Sequence, residues 1–162
     1  MVFENAYSFD QKNFKFDNHP TGSDRVILGL PRQLYPEPLT LALDPDNKHI
    51  GSFQLKSFAV MCREFGKKQS DFRQHGKAVN CTVLVECWEP GRDRHNSLPY
   101  TSANVSFGVD NRLQNLVAYQ NMWYLSDIFK GLRRCTLNAT SDEVGNLSVM
   151  IDRLSVEIEM CD

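Results

Sequence analysis

Four histidines and five cysteines are the side chains of this sequence best suited to metal or nucleophilic chemistry. His19, His49, His75 and His95 all stand in loop-like surroundings, no two at i, i+4 and none beside a cysteine pair. A zinc site needs three or four N or S donors converging at short spacing, and no segment supplies them. The histidines read as exposed loop residues, and no metal or cofactor is expected. Cys62, Cys81, Cys87, Cys135 and Cys161 are odd in number and contain no C-x-x-C pair. The chain opens without a basic stretch followed by an apolar block, so the cysteines read as reduced thiols. Cys81 and Cys87 share a strand face and pack as small apolar residues.

Other chemistries find equally little support. There is no G-x-S-x-G turn, and no cysteine opens a helix that would lower its pKa. Glu86 with Glu89 and Asp142 with Glu143 are the nearest paired carboxylates, and both pairs read as strand-surface or turn residues. Gly29, Gly51 and Gly66 are too scattered to cradle a phosphate. Catalytic function is not expected. The remaining enzymatic alternative is a small hydrolase or transferase whose site assembles from distant residues. Four N-x-S/T tripeptides begin at Asn80, Asn104, Asn138 and Asn146. With no secretory route visible, they read as chance occurrences.

Charge is more informative. Between Arg63 and Lys77 lie Arg63, Lys67, Lys68, Arg73 and Lys77 against Glu64 and Asp71, a local charge of +3. Phe65 and Phe72 are interleaved. A basic loop carrying aromatic rings can grip phosphates and stack on bases, or rest on anionic headgroups. The candidate contact residues for nucleic acid or membrane are Arg63, Lys67, Lys68, Phe72, Arg73 and Lys77. Against them, the stretch from Asp142 onward holds six acids and one arginine, so −5, which leaves +3 elsewhere on a chain of net charge −2. Complementary patches on one chain favour head-to-tail association. A dedicated nucleic-acid binder would be more basic than pI 6.1.

The elements that must position these residues are mainly strands. Leu147 to Met160 alternates apolar and polar residues, with one slip of phase at Asp152-Arg153 that predicts a β-bulge. Its polar face presents Arg153, Ser155, Glu157 and Glu159. Lys77 to Trp88 is a second alternating strand, and Ser52 to Phe65 a third whose middle reads as buried on both faces. Shorter strands are expected at Arg25 to Leu30, Leu39 to Leu43, Ala103 to Val109 and Leu132 to Ala139. Apolar residues at Leu113, Leu116, Val117, Tyr124 and Ile128 approach helical spacing, with Asp110 to cap and Gly131 to end it, so one helix is expected near 112–130. The sum is an all-β class, an antiparallel β-sandwich or jelly-roll-like domain with one helix; an α+β open antiparallel sheet is the alternative.

With 162 residues the chain fits one domain over 22–162, preceded by an aromatic arm over 1–21. The arm carries Phe3, Tyr7, Phe9, Phe14 and Phe16, too many rings for a segment meant to stay disordered. A 41% hydrophobic and 23% charged composition is that of a soluble globular protein, and no apolar run approaches a membrane span. An intracellular, cytoplasmic location is expected. In architecture alone, with no diagnostic residue, the chain is similar to small virus-encoded matrix or capsid proteins. The expected function is that of a non-enzymatic, self-associating structural or interaction protein, a homo-oligomer contacting nucleic acid or an anionic membrane through the basic loop. The arm aromatics Phe3, Tyr7, Phe9, Phe14 and Phe16, with Glu157 and Glu159, are the candidate self-association residues. A nucleic-acid-binding accessory protein is the alternative, and no small-molecule substrate is evident.

Overall fold

The computed structural model describes residues 1–4, 6–10, 25–29, 37–44, 46, 49–65, 75–89, 98–108 and 121–161. These form an all-β structure of two antiparallel sheets. The strands are β1 (Val2–Glu4), β2 (Ala6–Asp10), β3 (Arg25–Gly29), β4 (Leu39–Ala42), β5 (Ile50–Phe65), β6 (His75–Ala78), β7 (Cys81–Trp88), β8 (Thr101–Phe107), β9 (Asn121–Tyr124), β10 (Arg134–Thr140) and β11 (Leu147–Met160). The five-stranded sheet runs β1-β4-β10-β7-β8. The six-stranded sheet runs β2-β3-β11-β5-β6, with β9 also paired to β5.

Alternation along the strands makes the core. On β7, Cys81, Val83, Val85 and Cys87 are buried while Thr82 is exposed; on β8, Val105 and Phe107 are buried while Ser106 is exposed. They share one apolar core with Phe53, Leu55, Phe58 and Val60 of β5 and Val149 and Ile151 of β11. Every residue from Ser57 to Arg63 is buried, as expected of a strand covered on both faces. The sheets also meet through backbone at one corner, where Phe53 and Leu132 exchange two hydrogen bonds of 2.8 Å.

The predicted slip in the last strand is present. Register with β5 shifts between Asp152 and Ser155, and Arg153 takes a positive φ of 49°. The next shift, between Ser155 and Val156, skips a residue of β5 instead, so both strands change phase together. That is why Leu55 and Phe58, three apart in sequence, both line the same apolar cavity with Ile151 and Leu154. A third shift skips Gly51, where an added Cβ would stand 3.1 Å from the Cys161 sulfur.

Three expectations are corrected. The helix does not extend over 121–130: Asn121–Tyr124 is β9, paired to Ser57–Val60, and Asp127–Phe129 is a single 3₁₀ turn. Residues 112–120 lie outside the described set. The helical spacing of Tyr124 and Ile128 was coincidental, because both are exposed rather than packed on a core. The cysteines are not reduced thiols: Cys62 bonds to Cys81 and Cys87 to Cys135, which leaves Cys161 free and exposed. The run from Lys77 to Trp88 is broken at Val79–Asn80 into β6, on one sheet, and β7, on the other.

The first ten residues supply an edge strand to each sheet. β1 pairs with β4, and β2 pairs with β3. Phe3 lines the apolar cavity with Leu39, Leu41 and Leu137.

Candidate functional site

The C-terminal end of β11, from Glu157 to Met160, is exposed. The strand begins inside its sheet, flanked by β5 and by β3, but β3 meets it only at Met150 and Ile151. Beyond the Arg153 bulge, Ser155–Met160 pairs with β5 alone among the described residues. Among the described residues its other side is an edge, and strand edges invite further pairing. Ile158 is 43% and Met160 65% exposed, whereas Ile151, before the bulge, is 3% exposed. The same alternation therefore changes from core to surface within one strand.

The polar face of this segment is held in place from within. Glu157 accepts an ion-pair contact from Lys56 at 2.9 Å, and both side chains are largely exposed. Such a pair orients the carboxylate but adds little stability, roughly 0–1 kcal/mol. Glu159 accepts a hydrogen bond from the Ser52 hydroxyl, its register partner across the strand pair. Nearby on β5, Gln54 donates to Asp127 of the 3₁₀ turn at 3.4 Å. Ser52, Lys56 and Asp127 were not singled out from the sequence. The first two could have been found by register once β5 and β11 were taken as partners.

The basic candidates are dispersed differently. Arg63 sits in β5 and is 8% exposed, so it belongs to the body rather than to an open loop. Lys77 lies in β6, whose residues Ala78 and His75 pair with Arg63 and Phe65 of β5. Lys67, Lys68, Phe72 and Arg73 lie outside the described residues. Of the self-association aromatics, Tyr7 and Phe9 take register positions in β2 opposite Leu28 and Val26. Phe3 is 37% exposed, and Phe14 and Phe16 lie outside the described residues.

Among the described residues the candidates for chemistry do not come together. Glu86 is half-buried on β7, and Glu89 follows the strand's end. Asp142 and Glu143 are exposed in the turn before β11, where Glu143 accepts a hydrogen bond from the Asn80 side chain. His49 precedes β5 and His75 opens β6, while His19 and His95 lie outside the described residues. Among the described residues no group of three His, Cys, Asp or Glu side chains could hold a metal, and no helix is long and apolar enough to cross a membrane. Arg134 reaches Glu4 at 2.8 Å, tying β10 to the N-terminal strand. Compared with protein-family models, curated proteins and solved structures, the chain matches none of them.

Proposed function

We propose that this chain is a non-catalytic interaction protein that associates with further copies of itself through the edges of its six-stranded sheet. The observation that carries this is the placement of two strands. β6 holds Lys77, the last residue of the basic stretch Arg63 to Lys77, and with β9 is the last strand on one side of the sheet among the described residues. The segment Ser155–Met160, bearing Glu157 and Glu159, borders the other side beyond the short β3 pairing. The strand that holds Lys77 and the segment that holds Glu157 and Glu159 thus flank β5 on opposite sides. Joining them between copies extends the sheet head to tail, with backbone hydrogen bonds supplying affinity and charge setting the partner. A heterologous contact of this kind closes into a ring or continues as a filament.

This architecture is compatible with the matrix-like or capsid-like role expected from the sequence. A nucleic-acid accessory role has less support, because Arg63 is buried in β5. The test is a light-scattering mass series over protein concentration at low and high salt. Mass should rise with concentration at low salt and fall back in high salt. The double reversal Glu157→Lys with Glu159→Lys should weaken association by tenfold or more, on the order of 1.4 kcal/mol. A chain that stays monomeric at every concentration at low salt overturns the reading.

A further inference from the structure

The fold treats the four N-x-S/T tripeptides very differently. In an extended strand, residues i and i+2 point to the same face, so an outward-facing tripeptide displays its asparagine and its hydroxyl together. Asn104 and Ser106 do this on β8, where both are exposed and alternate with the buried Val105 and Phe107. Among the described residues β8 is the outermost strand of its sheet, with β7 on its one paired side. Asn138 occupies the same cross-strand row, since Leu84 of β7 faces both asparagines, but it is half-buried on the interior strand β10. Asn80 is exposed, yet its amide nitrogen donates to Glu143 and the Cys81 beside it is held in a disulfide. Asn146 keeps its carboxamide oxygen buried.

We propose that Asn104 is an N-glycan acceptor and that the chain matures in an oxidising, secretory-type compartment. The second part rests on a separate observation: four of the five cysteines are paired in disulfides. Structural disulfides persist where the environment is oxidising, and the lumen that forms them is also where asparagine glycosylation takes place. The donor is a lipid-pyrophosphate-linked oligosaccharide. The Asn104 Nδ2 forms a bond to the anomeric carbon of the first sugar, and the bond from that carbon to the pyrophosphate oxygen breaks. The lipid pyrophosphate leaves with the electron pair, the amide gives up one proton, and nothing is oxidised or reduced.

Geometry selects one site of the row. Adjacent strands lie about 4.8 Å apart, so Asn104 and Asn138 stand roughly 10 Å apart across β7, too close for two glycans to spread freely. Asn104 ends the row, since β7 is the one strand paired with β8 among the described residues. A glycan there also shields the β8 edge from pairing with another chain. It lies on the five-stranded sheet, away from the edges proposed for self-association, and the inference stands independently of that reading.

The full chain, secreted from a eukaryotic host behind a cleavable leader, is treated with a peptide N-glycosidase and mapped by mass spectrometry. The expected result is one mobility shift and a deamidation mark at Asn104, with Asn138 and Asn146 unmodified. The shift should disappear in Asn104→Gln, persist in Asn80→Gln and Asn138→Gln, and increase in occupancy with Ser106→Thr. Secreted protein should carry one reactive thiol. Mapping of the unsubstituted chain decides the matter even where a variant fails to fold. An unmodified Asn104, or a glycan found at Asn138 instead, overturns the proposal, as does secreted protein with five reactive thiols.

Discussion

Cys62 on β5 and Cys81 on β7 are bonded sulfur to sulfur, and the bond joins the two sheets through their shared core. Its partner bond behaves differently. Cys87 and Cys135 are directly opposed in register on neighbouring strands of one sheet, so that bond reinforces a pairing already made by the backbone. The first closes a loop of 19 residues in sequence separation and the second a loop of 48.

Loop-closure entropy gives the scale of each. Removing the Cys62–Cys81 bond by paired alanine substitution should cost about 3 kcal/mol, and removing Cys87–Cys135 about 4 kcal/mol. Chemical unfolding of the two double variants, each compared with the parent, measures both. If both bonds are absent from the folded protein, reducing agent will leave the unfolding midpoint unchanged.

The state of the cysteines can be checked directly. Under native, non-reducing conditions one thiol, Cys161, should react with an alkylating agent, and all five should react after reduction and unfolding. Peptide mapping without reduction should recover the peptides containing Cys62 and Cys81 as a linked pair.

The corner at Phe53 and Leu132 predicts a large core effect. Both residues are fully buried, and each donates to and accepts from the other's backbone. Phe53→Ala leaves a cavity beside that corner and should cost about 3–5 kcal/mol, read as a drop in unfolding free energy. A loss under about 1 kcal/mol would mean the corner closes over the gap or is not formed.

The bulge at Arg153 should discriminate among substitutions by the backbone each allows. Its φ of 49° lies in the left-handed region that bulky residues avoid. Arg153→Val should lose about 1–2 kcal/mol more than Arg153→Asn, since asparagine tolerates the left-handed region and valine does not. Equal effects of asparagine and valine, measured by thermal unfolding, would place Arg153 in ordinary extended backbone.

Deleting Met1 to Asp10 should destabilise the fold rather than merely remove an appendage. The deletion strips β1 from one sheet and β2 from the other, and opens the cavity that Phe3 helps to line. The unfolding midpoint should fall by several degrees or more, since each 1 kcal/mol shifts it by about 2–8 °C in domains of this general size. An unchanged midpoint would show that these strands add nothing to the body.

Local pattern decided much of this molecule. Alternation marked Leu147–Met160 and the run containing β7, and apolar residues on both faces marked the doubly buried β5, because side-chain period is a property of the strand itself. The phase slip at Asp152-Arg153 announced a bulge for the same reason. Where those strands lie relative to one another is not a local property. The pairing of Cys62 with Cys81, the use of Asn121–Tyr124 as a strand, and the burial of Arg63 all depend on residues distant in sequence. A four-residue strand such as β9 has too few side chains to declare its own period, and it is a strand because β5 offers an open edge at Ser57–Val60. Likewise the sequence determined which residues of β11 are apolar, but tertiary structure decided that Ile151 is core while Ile158 meets solvent. The physical reason is that β3 and the opposing sheet cover the strand before its bulge, and past Arg153 β5 is its one paired neighbour among the described residues.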